Sequence, residues 1–349
     1  MTRVLVTGAT GFIAGHCIED LLAHGYAVRG TVRDTTSADV AHLEAIARRI
    51  GGALEFVPAR LDRDEGWAEA VHGCDDVLHV ASPFPPANPG DADELIRPAV
   101  DGTLRVLRAA AASGTVRRVA LTSSIGAIIA GHDPTDGRVY TEADWTEVER
   151  APAYQQSKTY AERAAWAFVA EHPELELVVL NPGMVIGPLQ HASRPTSIEV
   201  LRRLLNREMP AVPRMGWSTV DVRDVATAHR LAIEVDEAKG NRYILAGDHV
   251  WTREMAQVLA EEFDPLGYRL PTRDLPYWLM WTIARFDRTV RFGLGFVGRR
   301  ELVSADRARR ELGWTMRPVD ESIKETGHSL IRHGVVKPRR GTAPVTAVS

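Results

Sequence analysis

RVLVTGATGFIA, residues 3–14, is the stretch on which the fold turns. Arg3 to Thr7 has the look of a short, buried strand. Phe12 to His24, with Ile13, Cys17, Leu21 and Leu22 near one face, predicts a helix directly after it. Between them, Gly8, Gly11 and Ala14 are spaced as GxxGxxA. The first glycine permits a tight turn off the strand, and the second lets the backbone approach a pyrophosphate. The small Ala14 lets the helix lie close to the sheet. Free N–H groups at the helix start then face the anion. Thr7, Gly8, Thr10, Gly11, Phe12 and Ile13 are therefore candidate cofactor-binding residues. A glycine pattern is weak on its own, but here it sits between strand and helix, the context a dinucleotide site requires.

Outward from this unit the alternation repeats. Tyr26–Val32, Leu54–Pro58, Asp76–Val80, Arg118–Thr122 and Leu175–Leu180 predict strands two to six. Asp101–Ala112 and the stretch AYQQSKTYAERAAW, residues 153–166, predict helices. Parallel strands need crossovers of this size, so the fold class is α/β, a Rossmann-type doubly wound parallel sheet. After Pro182 the pattern breaks. Residues 186–217 carry prolines, arginines and one short helix. Asp221–Val235 then predicts a helix, Arg242–Leu245 a strand, and the chain from about Trp251 is mostly helical. This divides the chain into a nucleotide-binding domain of residues 1–185 plus about 221–248 and a smaller, mostly helical substrate lobe of about 186–220 plus 250–335. Residues 338–349 are expected to be a flexible tail. PYWLMWTIARF, residues 276–286, is too short to span a bilayer and is expected to pack into a groove or interface.

The bulk numbers narrow the function. The chain has 349 residues, 45% hydrophobic, which suffices for a large core. A net charge of -4 gives no sign of a nucleic-acid partner. Cys17 and Cys74 are the only cysteines, too few for a disulfide framework or a Cys-based zinc site, so a reducing cytoplasm is expected. The opening residues lack the apolar core of an export signal.

Which nicotinamide cofactor binds depends on GTVRD, residues 30–34, at the end of the second strand. An acid there would bind the ribose hydroxyls of NAD, and an arginine would pair with the 2′-phosphate of NADP. Arg33 and Asp34 offer both. Arg33 favours NADPH, with NADH as the alternative.

The chain uses 38 arginines and only four lysines, yet Lys158 stands one helical turn after Tyr154. A phenol near pKa 10 is a poor base at neutral pH, and lowering it to about 7 takes roughly 4 kcal/mol of differential stabilisation. A cation on the same helix face can supply part of that. Lysine's compact ammonium can also reach a ribose hydroxyl. Strand five would carry Ser123 and Ser124 to its C-terminal end, the edge where open parallel sheets hold ligands. A serine hydroxyl there can donate to a substrate carbonyl.

TGATGFIA, GTVRD, DEGWAEAVHGCDDVLHVASPF, AVDGTLRVLRAA, VALTSSIGAI, YQQSKTYAERAAW, NPGMVIGP and DVRDVATAH follow one another in the order of the extended short-chain dehydrogenase/reductase family. The chain resembles it from about residue 2 to 335, and within it the dihydroflavonol-reductase and cinnamoyl-CoA-reductase branch. The resemblance implies an oxidoreductase acting on small-molecule carbonyls, as a monomer or homodimer. It implies Tyr154 as proton donor/acceptor, and Lys158 as its tuning cation and the holder of the nicotinamide ribose. Ser124 would be the carbonyl's hydrogen-bond donor, with Ser123 as runner-up. It further implies that Leu61, Ala81 and Ser82 line the cofactor, that Pro182 and Gly183 border the nicotinamide, and that Arg33 reads the 2′-phosphate. Two positions depart from the family's pattern. Arg60 stands where an Asp usually lies beside the adenine. Ile129 replaces the Asn or Asp that anchors a flavonoid hydroxyl in plant dihydroflavonol reductases, which argues against that substrate.

Phe84, Ile125, Met184 and Trp217 are candidate substrate-pocket residues. Their apolar character suits an aryl, alkyl or terpenoid carbonyl better than a nucleotide-sugar. An epimerase, dehydratase or hydroxysteroid-type dehydrogenase would use the same fold. A non-enzymatic NADP(H) sensor would need the glycine loop but not the Ser–Tyr–Lys set. Reduction of an aldehyde or ketone is the reading these residues favour.

Overall fold

The computed structural model describes residues 1–83, 91–133, 137–283, 285 and 297–339. Seven parallel strands form the central sheet: β1 (Arg3–Val6), β2 (Ala27–Val32), β3 (Leu54–Pro58), β4 (Asp76–His79), β5 (Arg118–Thr122), β6 (Glu176–Pro182) and β9 (Arg242–Leu245). Their spatial order is β3-β2-β1-β4-β5-β6-β9. The order reverses beside β1, and such a switch point opens a crevice at the C-terminal edge of the strands.

Side chains alternate across the sheet, as the pleat requires. Val4, Val6, Ala120, Val178 and Leu180 face one layer, which contains helices α1 (Phe12–Ala23) and α7 (Val222–Glu234). Leu5, Val119, Leu121, Leu177 and Val179 face the other, with α3 (Trp67–Val71), α4 (Asp93–Ser113) and α5 (Ala153–Glu171). Ala161 and Ala165 are buried on α5, whose main helical neighbour is α4. Small residues at this spacing let the two backbones approach. Helix α2 (Ala41–Ile50) covers the outer part of the first layer through Leu43 and Ala47.

A third apolar cluster lies outside the main sheet. It joins Ile186, Leu201, Leu205, Met255, Leu259, Phe263, Ile323 and Leu330. These come from β7 (Met184–Ile186), α6 (Glu199–Leu205), α8 (Thr252–Phe263) and the helix Val319–Arg332. Residues expected to be irregular or helical contribute a second sheet, with β8 (Gly216–Asp221) between β7 and β10 (His249–Trp251). Helix α4 also begins at Asp93 rather than 101, running through Pro98.

On α9 (Tyr277–Ile283), Met280 packs inward, while Trp278 is 68% and Trp281 47% exposed, so within this chain the stretch is only partly packed. Their apolar rings are covered by no described groove; Arg285 lies 4.2 Å from the Trp281 ring centroid. Phe84 and the tail beyond Arg339 lie outside the described residues. No described helix is long and apolar enough to cross a membrane.

Candidate active site

The glycine loop is built as its spacing predicts. Gly8 has φ +69°, and a Cβ there would lie 3.0 Å from the Ala81 methyl. The loop is latched from below: the Gly8 N–H donates to Thr31 Oγ1 at 2.9 Å, and the Ala81 N–H donates to Thr7 Oγ1 at 2.9 Å. Thr7 Oγ1 also pairs with His79 Nδ1 at 2.9 Å, and burial holds this imidazole neutral by pulling its pKa to about 3. Thr7 is thus fully buried behind the loop and braces it rather than facing the cleft. Helix α1 starts at Phe12 after Gly11 with no side-chain cap, so its first N–H groups stay available to an anion. A left-handed glycine, an uncapped helix start and a tight packing contact with Ala81 together fit the pyrophosphate of a dinucleotide.

From this loop a cleft of about 2050 Å³ runs both ways. Toward the β2 end it meets Arg33, Arg60 and Leu61; toward the other it meets Ser82, Ser124, Tyr154, Lys158, Pro182 and Gly183. Gly8, Thr10, Gly11, Phe12, Ile13 and Ala81 line the middle.

The two residues at the end of β2 separate in space. Asp34 turns to its own loop. It accepts from the Thr36 N–H at 2.9 Å, the Thr36 hydroxyl at 2.8 Å and the Ser37 hydroxyl at 3.0 Å, which hold its carboxyl below the usual range. Arg33 borders the cleft. Arg60 is held in a bidentate pair with Asp62, at 2.9 and 2.7 Å.

The two serines also part. Ser123 is buried and donates to Glu162 Oε2 at 2.6 Å. Ser124 caps the short turn after β5, accepting from the Gly126 N–H at 3.0 Å, and its hydroxyl lies near enough to the Tyr154 phenol to favour the phenolate. Of the pair, only Ser124 accompanies Tyr154.

Lys158 lies buried one turn on, its ammonium 3.4 Å from the Thr122 carbonyl. Burial pulls it down to about 8, while the Glu162 charge opposes that fall. Burial pushes the Tyr154 phenol up, and the nearby Ser124 hydroxyl only partly offsets this. The lowered phenol expected from the Lys158 charge is therefore not what these groups produce. Desolvation of the phenolate is the larger effect, and it leaves a protonated tyrosine at neutral pH.

Glu162, which sequence reasoning passed over, is the hub beneath the site. It is 1% exposed, pairs with Arg242 Nε at 2.5 Å, and accepts from Asn181 Nδ2 at 2.9 Å as well as from Ser123. Its signal was available: Tyr154, Lys158 and Glu162 follow at intervals of four on one helical face. Gly183 is packed so closely that a Cβ would meet the Ser218 carbonyl at 2.2 Å. Ile125, Met184, Trp217 and Ile129 line the same end of the cleft.

Comparison with known proteins agrees in kind. Residues 4–246 match the NAD dependent epimerase/dehydratase family. The chain is 35% identical over 339 residues to cinnamoyl-CoA reductase CAD2 of Medicago truncatula, covering 94% of this chain and 95% of that one. It is 30% identical to the ketoreductase azaE of Aspergillus niger, covering 94% and 97%. Among solved structures, the yeast methylglyoxal/isovaleraldehyde reductase Gre2 complexed with NADPH superposes with a TM-score of 0.77 at 27% identity, covering 96% of this chain and all of that one.

Proposed function

The chain belongs to the NAD dependent epimerase/dehydratase family, among its extended short-chain dehydrogenase/reductases, and from that premise we propose that it reduces an aldehyde or ketone to the alcohol with NADPH. One observation carries the proposal: Ser124, Tyr154 and Lys158 line one cleft together with the glycine loop.

NADPH, when bound, supplies the hydride. Gly8, Thr10, Gly11, Phe12 and Ile13 would hold its pyrophosphate, Leu61, Ala81 and Ser82 would line its length, and Pro182 and Gly183 would border the nicotinamide. Tyr154 is kept protonated by burial and holds the proton that the carbonyl oxygen receives. Ser124 donates a hydrogen bond to the same oxygen and orients the phenol. Lys158 keeps a positive charge one turn away and holds the ribose. Ile125, Met184 and Trp217 exclude water and favour an aryl, alkyl or terpenoid-like substrate. In this reading residues 1–185 and about 221–248 carry the cofactor, and about 186–220 and 250–335 the substrate.

The deciding experiment is depletion of NADPH and of NADH over a panel of aromatic, aliphatic and β-keto ester carbonyls. Consumption of NADPH with alcohol formation is expected. Tightly bound NAD with no net consumption on any carbonyl points instead to an epimerase or dehydratase.

The preference for NADPH rests on Asp34 being tied to Thr36 and Ser37 while Arg33 borders the cleft. In Arg33→Ala the KM for NADPH is expected to rise about 10-fold or more, as for loss of a charge-assisted phosphate contact, with the KM for NADH little changed. Equal changes in both would assign Arg33 no part in cofactor choice.

A further inference from the structure

The segment 298–304 is a strap tied at both ends. The Gly298 N–H donates to the Arg214 carbonyl at 2.8 Å, and the Glu301 N–H donates to His249 Nδ1 at 3.1 Å. At the other end the Tyr140 N–H donates to the Leu302 carbonyl at 2.8 Å and the Ser304 N–H to the Tyr140 carbonyl at 2.9 Å. The strap thus runs from the small sheet to the loop between β5 and α5, along the cleft that Glu301 borders together with Trp217 and Met184.

Glu301 is fixed more firmly than its neighbours. Ser218 grips it twice: its N–H donates to Glu301 Oε2 at 2.9 Å, and its hydroxyl to the Glu301 carbonyl at 3.0 Å. Ser218 is also the residue whose carbonyl backs onto Gly183. The carboxyl is therefore held, through a single residue, against the backbone that borders the proposed nicotinamide site. Among the described residues the second oxygen, Oε1, has no hydrogen-bond partner, and no arginine beside Glu301 pairs with its carboxyl. Glu301 is half-buried in the cleft wall, so Oε1 stays within reach of a ligand there, whose polar group would supply the partner the protein does not.

We propose that Glu301 is a polar anchor for substrate, hydrogen-bonding a hydroxyl that the carbonyl compound carries away from its reacting carbon. This rests on the reductase reading above. A neutral hydroxyl fits better than an ammonium because exposed Arg194, Arg299 and Arg300 line the same end of the cleft and repel a cation. A hydroxyl also suits the group's chemistry: burial pushes the Glu301 carboxyl up to about 7, against the Ser218 N–H, so at neutral pH it both accepts and donates. The anchor comes from the C-terminal strap rather than from the position of Ile129, which lines the same cleft without a polar group. The pocket thereby remains apolar around the reacting carbon and polar at one remote point, the usual layout of a selective small-molecule site.

The test uses the full-length enzyme with NADPH and matched pairs of aryl ketones, each bearing a remote hydroxyl or a methyl in its place. Wild type is expected to favour the hydroxyl member by about 10-fold or more in kcat/KM, since a site built around a hydrogen bond penalises the analogue that lacks it. In Glu301→Leu that ratio should collapse toward one, and Glu301→Gln, which keeps a hydrogen-bonding group, should retain part of it. NADPH affinity, measured by fluorescence titration, certifies that each variant is folded. An unchanged ratio in Glu301→Leu, or a wild type indifferent to the hydroxyl, overturns the anchor while leaving the reductase assignment standing. A wild type that oxidises no NADPH with any pair overturns both.

Discussion

Tyr154→Phe is expected to bind NADPH as the wild type does and to lose turnover by about 10²- to 10⁴-fold, the usual worth of a positioned general acid. That corresponds to roughly 3–5 kcal/mol of transition-state stabilisation. The phenylalanine ring keeps the buried volume of the site, so packing is barely disturbed. What disappears is the hydroxyl, and with it the proton that the developing alkoxide needs. The phenol is held protonated by burial, so its loss falls on the reductive direction, where the group must donate. Single-turnover reduction with prebound NADPH separates chemistry from binding. A variant with near-wild-type single-turnover rates would falsify the assignment of Tyr154 as proton donor. A variant that fails to bind NADPH would place the tyrosine in cofactor binding instead.

Glu162→Ala is expected to cost about 3–5 kcal/mol of folding stability, the range for removing one partner of a buried ion pair. Arg242 and Glu162 are both buried, and the guanidinium would be left without its carboxylate, though it keeps the Glu142 and Asp144 carbonyls at 2.9 Å and the face of Trp145 at 3.8 Å. Ser123 and Asn181 would each lose a hydrogen-bond acceptor as well. Equilibrium urea unfolding followed by tryptophan fluorescence measures the loss. A change under about 1 kcal/mol, the worth of an exposed pair, would show that the network contributes little. Glu162→Gln keeps the shape and the acceptor oxygen for Ser123, and is expected to fall between wild type and the alanine variant.

Much of the molecule was legible because parallel strands buried on both faces read as short apolar runs, and glycines mark where they stop. RVLV, DVLH and RVALT needed no tertiary knowledge to be placed. The same logic fails for His249–Trp251, a three-residue strand whose existence depends on pairing with β8 far back in the chain. The order Ser124, Tyr154, Lys158 was readable from spacing, but which serine faces the tyrosine was not. That choice is made by Glu162, which turns Ser123 into the core. Likewise Arg33 and Asp34 are adjacent in sequence, and only the turn that Asp34 caps for Thr36 and Ser37 separates their roles. Glu301 carried no local signal at all. It matters through Ser218, 83 residues earlier, and through a strap whose course no periodicity reports.

Glu162 ties together side chains from the ends or flanks of three strands: Ser123 after β5, Asn181 on β6 and Arg242 on β9. One carboxylate therefore makes this corner a single cooperative unit. The amide of Ser123, bonded to the Leu180 carbonyl at 2.8 Å, should exchange with deuterium only when the whole chain unfolds. The exposed rim at residues 137–139 should exchange by local opening at far lower free energy. The enzyme would then breathe where substrate enters and stay fixed where the proton is passed, so that substrate exchange and catalytic geometry are set by separate motions.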